Sequence, residues 1–192
     1  MHSPSRVLRS VLIASVVALM ASSLVVVTGG GTARASGTPG VNDYPYQGAT
    51  DCSGTYGIYA WCIGGSYLSP LGFAYRNCTD FVAWRAGITW GSFIRGGDGH
   101  ARGWKAAALT DGYTVSTTPV PGSIAWWGGT NSNPYGHVAY VTSVNSNGTA
   151  NIEQYNYAGT GVYSQSSGIT ADAYLYVNVS GGGAGHPLEH IR

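Results

Sequence analysis

The chain opens with an apolar run from Val11 to Val27, interrupted only by small Ser and Ala residues. Later segments show two other periods. From Cys78, the apolar Phe81, Val82 and Ala86 follow at spacings of three, four and eight, the stripe of a helix that buries one face. Gly87 then ends the pattern, as a helix C-terminal glycine does, and the preceding Ser69-Pro70-Leu71-Gly72 reads as a turn. A second helical stretch, HARGWKAAAL from His100, would turn Trp104, Ala107 and Ala108 to the core. GHVAYVTSV alternates as a strand from His137, and Asn147-Gly148 signals a hairpin. The return strand TANIEQYNY sets Ala150, Ile152, Gln154 and Asn156 on one face, and Asn151, Glu153, Tyr155 and Tyr157 on the other.

The first run is an address rather than part of the fold. Arg6 and Arg9 precede it, and Ala33-Arg34-Ala35 follows with the A-x-A pattern of a secretory cleavage site. Cleavage is expected after Ala35; the alternative is an uncleaved anchor, since 17 residues approach a membrane span. The expected layout is a leader at 1–35, a catalytic domain at 36–180 and a Gly-rich tail at 181–192.

Composition narrows the class. Only 9% of the 192 residues are charged, against about 25% in an average domain. The net charge of +1 becomes −2 once Arg6, Arg9 and Arg34 leave with the leader. A basic nucleic-acid binder, an acidic tail and a charge-rich coiled coil are excluded. Fourteen Tyr, six Trp and three Phe argue for a folded domain that holds its ligand by stacking and hydrogen bonds in a groove.

Export implies an oxidising compartment, where cysteines pair. Cys52 and Cys62 flank a Gly/Tyr-rich loop whose closure would contribute about 2–3 kcal/mol. That leaves Cys78, either a buried structural or intermolecularly paired thiol, or a reactive one. Its place at a helix start, with Asn77 or Thr79 available as a cap, favours the thiolate through the helix dipole. A nucleophilic cysteine needs a base. His137 begins a strand, and Gly136 before it leaves room for a backbone or a substrate. On the neighbouring strand Gln154 and Asn156 share the histidine's side if Ile152 points to the core beside it. Either amide oxygen could fix the imidazole tautomer, while Glu153 points away unless a bulge re-aims it.

The order YRNCTDFVAWR, PGSIAWW, GHVAYV and NGTANIEQYNY resembles the CHAP family, the cysteine, histidine-dependent amidohydrolase/peptidase domain, across residues 43 to 177. DGHARGWKAAALTDGYTV resembles the family's linking helix and following strand. The resemblance implies an α+β, papain-like fold with the nucleophile helix packed on an antiparallel sheet that carries the histidine. It implies a secreted peptidoglycan hydrolase, an N-acetylmuramoyl-L-alanine amidase or endopeptidase, with Cys78 as nucleophile, His137 as base and no metal or other cofactor. The expected partner is a stem peptide or cross-bridge of the cell wall, with no nucleic acid, no membrane once the leader is cleaved, and a monomeric chain.

The sequence departs from the family pattern. Gln154 stands in the slot of the histidine-orienting Glu, Asn156 is kept, and Glu153 falls one residue early. Ser123 stands where Asp is common and His100 where Asn is. GVNDYPYQGATDC offers only Asp43 and Asp51, so no calcium site is expected. Beside the motifs, Tyr135 and Tyr155 are read as cleft walls, Tyr75 as either wall or core, and one of Trp126 and Trp127 as core. The competing readings are a weakened or inactive wall-binding module of the same fold, and a cysteine hydrolase acting on another amide.

Overall fold

The computed structural model describes residues 36–93 and 99–179. The expected leader and the tail lie outside them. Its elements, in chain order, are β1 (Thr50–Asp51), α1 (Ser53–Tyr56), β2 (Trp61–Cys62), α2 (Cys78–Ala86), α3 (Trp90–Phe93), a 3-10 turn (Ala101–Gly103), α4 (Trp104–Thr110), β3 (Thr114–Ser116), β4 (Ile124–Trp127), β5 (His137–Val144), β6 (Ala150–Tyr155), β7 (Tyr163–Ile169) and β8 (Ala173–Tyr176). The last six strands form one antiparallel sheet in the order β3-β8-β4-β5-β6-β7, with helices on one face, an α+β architecture.

The helical stripe is where its period requires. Phe81, Val82 and Ala86 are buried against Val138, Tyr140 and Tyr155 of the sheet, and Gly87 caps α2 in the left-handed region at φ 67°. Trp104 and Ala108 of α4 enter the same core. Ile152 does not: it lies with Ala139, Val141 and Tyr174 in a second cluster, on the other face of the sheet. Strand alternation therefore sends His137, Ile152 and Gln154 to the face opposite the helices, and Val138, Glu153 and Tyr155 toward them.

One ion pair ties the helix to the sheet. Arg85 of α2 and Glu153 of β6, both fully buried, meet at 2.8 Å, and Asp43 approaches Arg85 at 3.0 Å. Glu153 also accepts from the Gly40 N–H and the Tyr163 hydroxyl, each at 3.0 Å. Cys52 and Cys62 are joined in a disulfide that closes the loop between β1 and β2. Among the described residues, no helix is long and apolar enough to cross a membrane.

Candidate active site

Cys78 is the first residue of α2, and Asn77 before it has the extended backbone of an N-cap. The Asn77 side chain nevertheless does not cap the helix. Its Nδ2 donates to the Tyr59 carbonyl (3.3 Å) and its Oδ1 accepts from Asn156 Nδ2 (2.7 Å). The first-turn N–H groups are thus left for other acceptors, and the Thr79 N–H reaches the Cys78 sulfur together with the Val138 N–H.

His137 begins β5 opposite Trp127. Gly136 is required before it, because a Cβ there would lie 2.7 Å from the Trp127 carbonyl and 2.8 Å from the Arg102 nitrogen, at φ 72°. The expected close approach at this glycine is therefore to backbone. His137 Nε2–H donates to Gln154 Oε1 at 2.8 Å. An amide oxygen can only accept, so this bond fixes the tautomer and leaves Nδ1 for the Cys78 thiol, with which His137 is also hydrogen-bonded. Gln154 is itself turned by a weak bond from its Nε2 to Ser166 Oγ (3.4 Å).

Electrostatics follow from this contact. Burial alone would raise the Cys78 pKa, but the His137 charge and hydrogen bond and the Val138 and Thr79 N–H groups outweigh it, and the thiol is held below its ordinary range. Burial alone would keep His137 neutral, but the Cys78 thiolate and the bonds to Cys78 and Gln154 raise its pKa. The two shifts share one cause, the contact between the two groups, and both move toward a thiolate–imidazolium pair. Two residues along α2, Asp80 is buried and accepts from the hydroxyls of Tyr44 and Ser69.

Of the polar residues expected around His137, only Gln154 touches it. Glu153 is on the helix side in the Arg85 pair. Asn156 falls just past β6 at φ 58°, where it joins Asn77 and accepts from the Gly161 N–H (2.8 Å). Tyr155, read as a cleft wall, is buried among Tyr44, Phe81 and Tyr163, because it shares the helix-side face with Glu153. Tyr75 is core as well. Trp126 turns inward and donates to the Ala101 carbonyl. Tyr135 is exposed and stacks near His100, with centroids 4.5 Å apart.

The cleft at His137, about 410 Å³, is walled instead by Trp127 and Tyr157, whose rings stand 5.7 Å and 5.4 Å from the imidazole. Strand parity alone predicts Tyr157 on the opposite face. The left-handed turn at Asn156 breaks that parity, and an Asn so placed before Gly159 and Gly161 was the available signal. Among the described residues, no three His, Cys, Asp or Glu side chains gather as metal ligands would.

The family model of the CHAP domain matches residues 69–156, which include Cys78, His137 and Gln154. Over these residues the chain is similar to the CHAP domain. The chain is 38% identical over 106 residues to the probable autolysin LDP of Staphylococcus aureus, covering 55% of this chain and 37% of the relative. It is 35% identical over 134 residues to the staphylococcal secretory antigen SsaA of the same species, covering 69% of this chain and 48% of the relative. The chain thus spans half or less of the length of these curated relatives. A solved structure of an N-acetylmuramoyl-L-alanine amidase from Staphylococcus aureus aligns over 53% of this chain and 30% of that one, at 29% identity and a TM-score of 0.44.

Proposed function

We propose that this chain is a secreted peptidoglycan hydrolase in which Cys78 is the nucleophile, His137 the acid and base, and Gln154 the residue that orients His137. The observation that carries the proposal is the hydrogen-bonded line from the Cys78 thiol through His137 to Gln154 at a helix start. The name autolysin given to one relative agrees with it.

The Cys78 thiolate attacks the carbonyl carbon of a wall amide, forming the C–S bond. The oxyanion takes a hydrogen bond from the Cys78 backbone N–H at the open helix end. Collapse of the tetrahedral intermediate breaks the C–N bond, and the His137 imidazolium passes its proton to the leaving amine. The neutral imidazole then removes a proton from water, which attacks the thioester. The acid departs and the thiolate–imidazolium pair is restored.

The cleaved amide is either the one joining the stem peptide to the sugar or one within the peptide bridge. Digestion of purified peptidoglycan, with mass analysis of the products, tests both the reaction and the bond. An amidase releases sugar-free stem peptides, and an endopeptidase releases disaccharide-bearing fragments. Cys78→Ala is expected to abolish both. If that variant retains the parent's lytic rate, the proposal fails.

A further inference from the structure

A second cleft, of about 450 Å³, lies between the disulfide-closed loop and the loop that follows β6. Asp51, Ile58, Tyr59 and Trp61 form one wall, and Gly159 and Thr160 the other. All of them lie outside the segment 69–156 that matches the CHAP model. Both walls are nonetheless tied to the residue before Cys78. Asn77 donates to the Tyr59 carbonyl and accepts from Asn156, which opens the second loop. The cleft is therefore joined to the helix start that carries the thiol.

The wall chemistry is specific. Ile58 is 78% exposed and Tyr59 47%, a large apolar area to leave in water on a closed loop. Tyr59 also holds a left-handed backbone at φ 61°, a conformation a bulky residue keeps only where its surroundings enforce it. The rings are buttressed by glycines. A Cβ at Gly159 would lie 2.7 Å from the Tyr59 ring, and one at Gly161 would run into the Trp61 ring. At the rim, Asp51 accepts from the Ser53 N–H and hydroxyl, which hold its carboxyl below the usual range. It is thus an ionised acceptor.

A nearby cation, Arg76, is already committed. It donates to the carbonyls of Gly161 and Ala49, and its guanidinium stands 5.4 Å over Trp61. An anionic ligand therefore finds little to bind. A purely apolar side chain would leave the ionised Asp51 carboxylate at the rim without a donor from the ligand. The exposed Tyr59 ring, edged by a carboxylate and hydroxyls, suits a ring with C–H faces and O–H edges.

We propose that this cleft is a saccharide subsite, taking an uncharged N-acetylated hexose of the polymer whose amide is presented to Cys78. The inference rests on the proposed peptidoglycan substrate and adds a glycan contact to it.

The test is calorimetric titration of tri-N-acetylchitotriose into the full chain carrying Cys78→Ala. Saturable binding is expected, weakened at least tenfold by Tyr59→Ala and by Ile58→Asp, with Tyr59→Phe restoring it. The exposure of Ile58 makes its variant safe for folding, which circular dichroism checks. No saturable binding, or binding undiminished in both variants, overturns the subsite. So does displacement of the sugar by a lysine-containing tripeptide, which would make the cleft a site for a cationic peptide. Peptidoglycan digestion by the unsubstituted chain is scored separately. Sugar binding without digestion removes the proposed hydrolase and keeps the subsite, whereas digestion without sugar binding does the reverse.

Discussion

Glu153 and Gln154 are adjacent on one strand and face opposite ways, so their isosteric substitutions should separate stability from chemistry. In Glu153→Gln, Arg85 loses the carboxylate at 2.8 Å while remaining fully buried. Removing one partner of a buried pair costs about 3–5 kcal/mol. Arg85 keeps Asp43 at 3.0 Å and the carbonyls of Ser36 and Val41, which places the loss near the lower end, about 3 kcal/mol. Each kcal/mol moves the Tm of a domain of this size by about 2–4 °C, so a fall of about 6–12 °C is expected. Thermal unfolding followed by circular dichroism measures it. The rate at which iodoacetamide alkylates Cys78, taken well below the Tm, should match that of the parent. A Tm within about 2 °C of the parent would refute the role of the ion pair. A depressed alkylation rate in the folded variant would instead show Glu153 acting on His137, against the geometry.

Gln154→Leu leaves the His137 N–H without its acceptor. A lost buried hydrogen bond of about 1–3 kcal/mol corresponds to a roughly 5- to 150-fold lower kcat on peptidoglycan, and an unchanged kcat would remove Gln154 from the mechanism. Burial raises the Asp80 carboxyl to about 7, despite hydrogen bonds from Ser69 and Tyr44. The folded state then binds this proton more tightly than the unfolded chain, whose Asp titrates near ~3.9. Its stability contribution is complete below about pH 4 and fades as the pH rises toward 7; Asp80→Asn should flatten the Tm–pH profile in that window. Reducing Cys52–Cys62, which are separated by 10 residues, should cost about 3 kcal/mol in the loop-entropy account. Calorimetry of the Cys52→Ser/Cys62→Ser chain checks this, and an unchanged Tm would contradict it.

The parts of the fold legible in the sequence were those governed by local period. The stripe at Phe81, Val82 and Ala86 and the stop at Gly87 match α2 as built. The hairpin at Asn147-Gly148 joins β5 to β6, and parity alone put Gln154 on the histidine's side. What failed was parity carried one residue too far. β6 ends at Tyr155, and the left-handed Asn156 redirects the chain, so Asn156 turns to Asn77 and Tyr157 to the imidazole. A second error came from treating the sheet as one-sided. Both faces are covered, so Ile152 packs in a small cluster away from the helices, and Tyr155, expected in the cleft, is in the main core. Nothing in the local pattern distinguishes a strand buried on both faces from one buried on a single face. The Arg85–Glu153 pair, 68 residues apart, was equally beyond any local period.

The central claim is that Cys78 and His137 work as one unit. The most direct measurement is the rate of iodoacetamide alkylation of Cys78 against pH, in the chain with Cys52 and Cys62 paired, with His137→Ala alongside. The thiolate should titrate below the free-thiol value of about 8.5, and replacing His137 should move that titration upward. A thiol that titrates as a free cysteine, with the same profile in both proteins, would contradict the account.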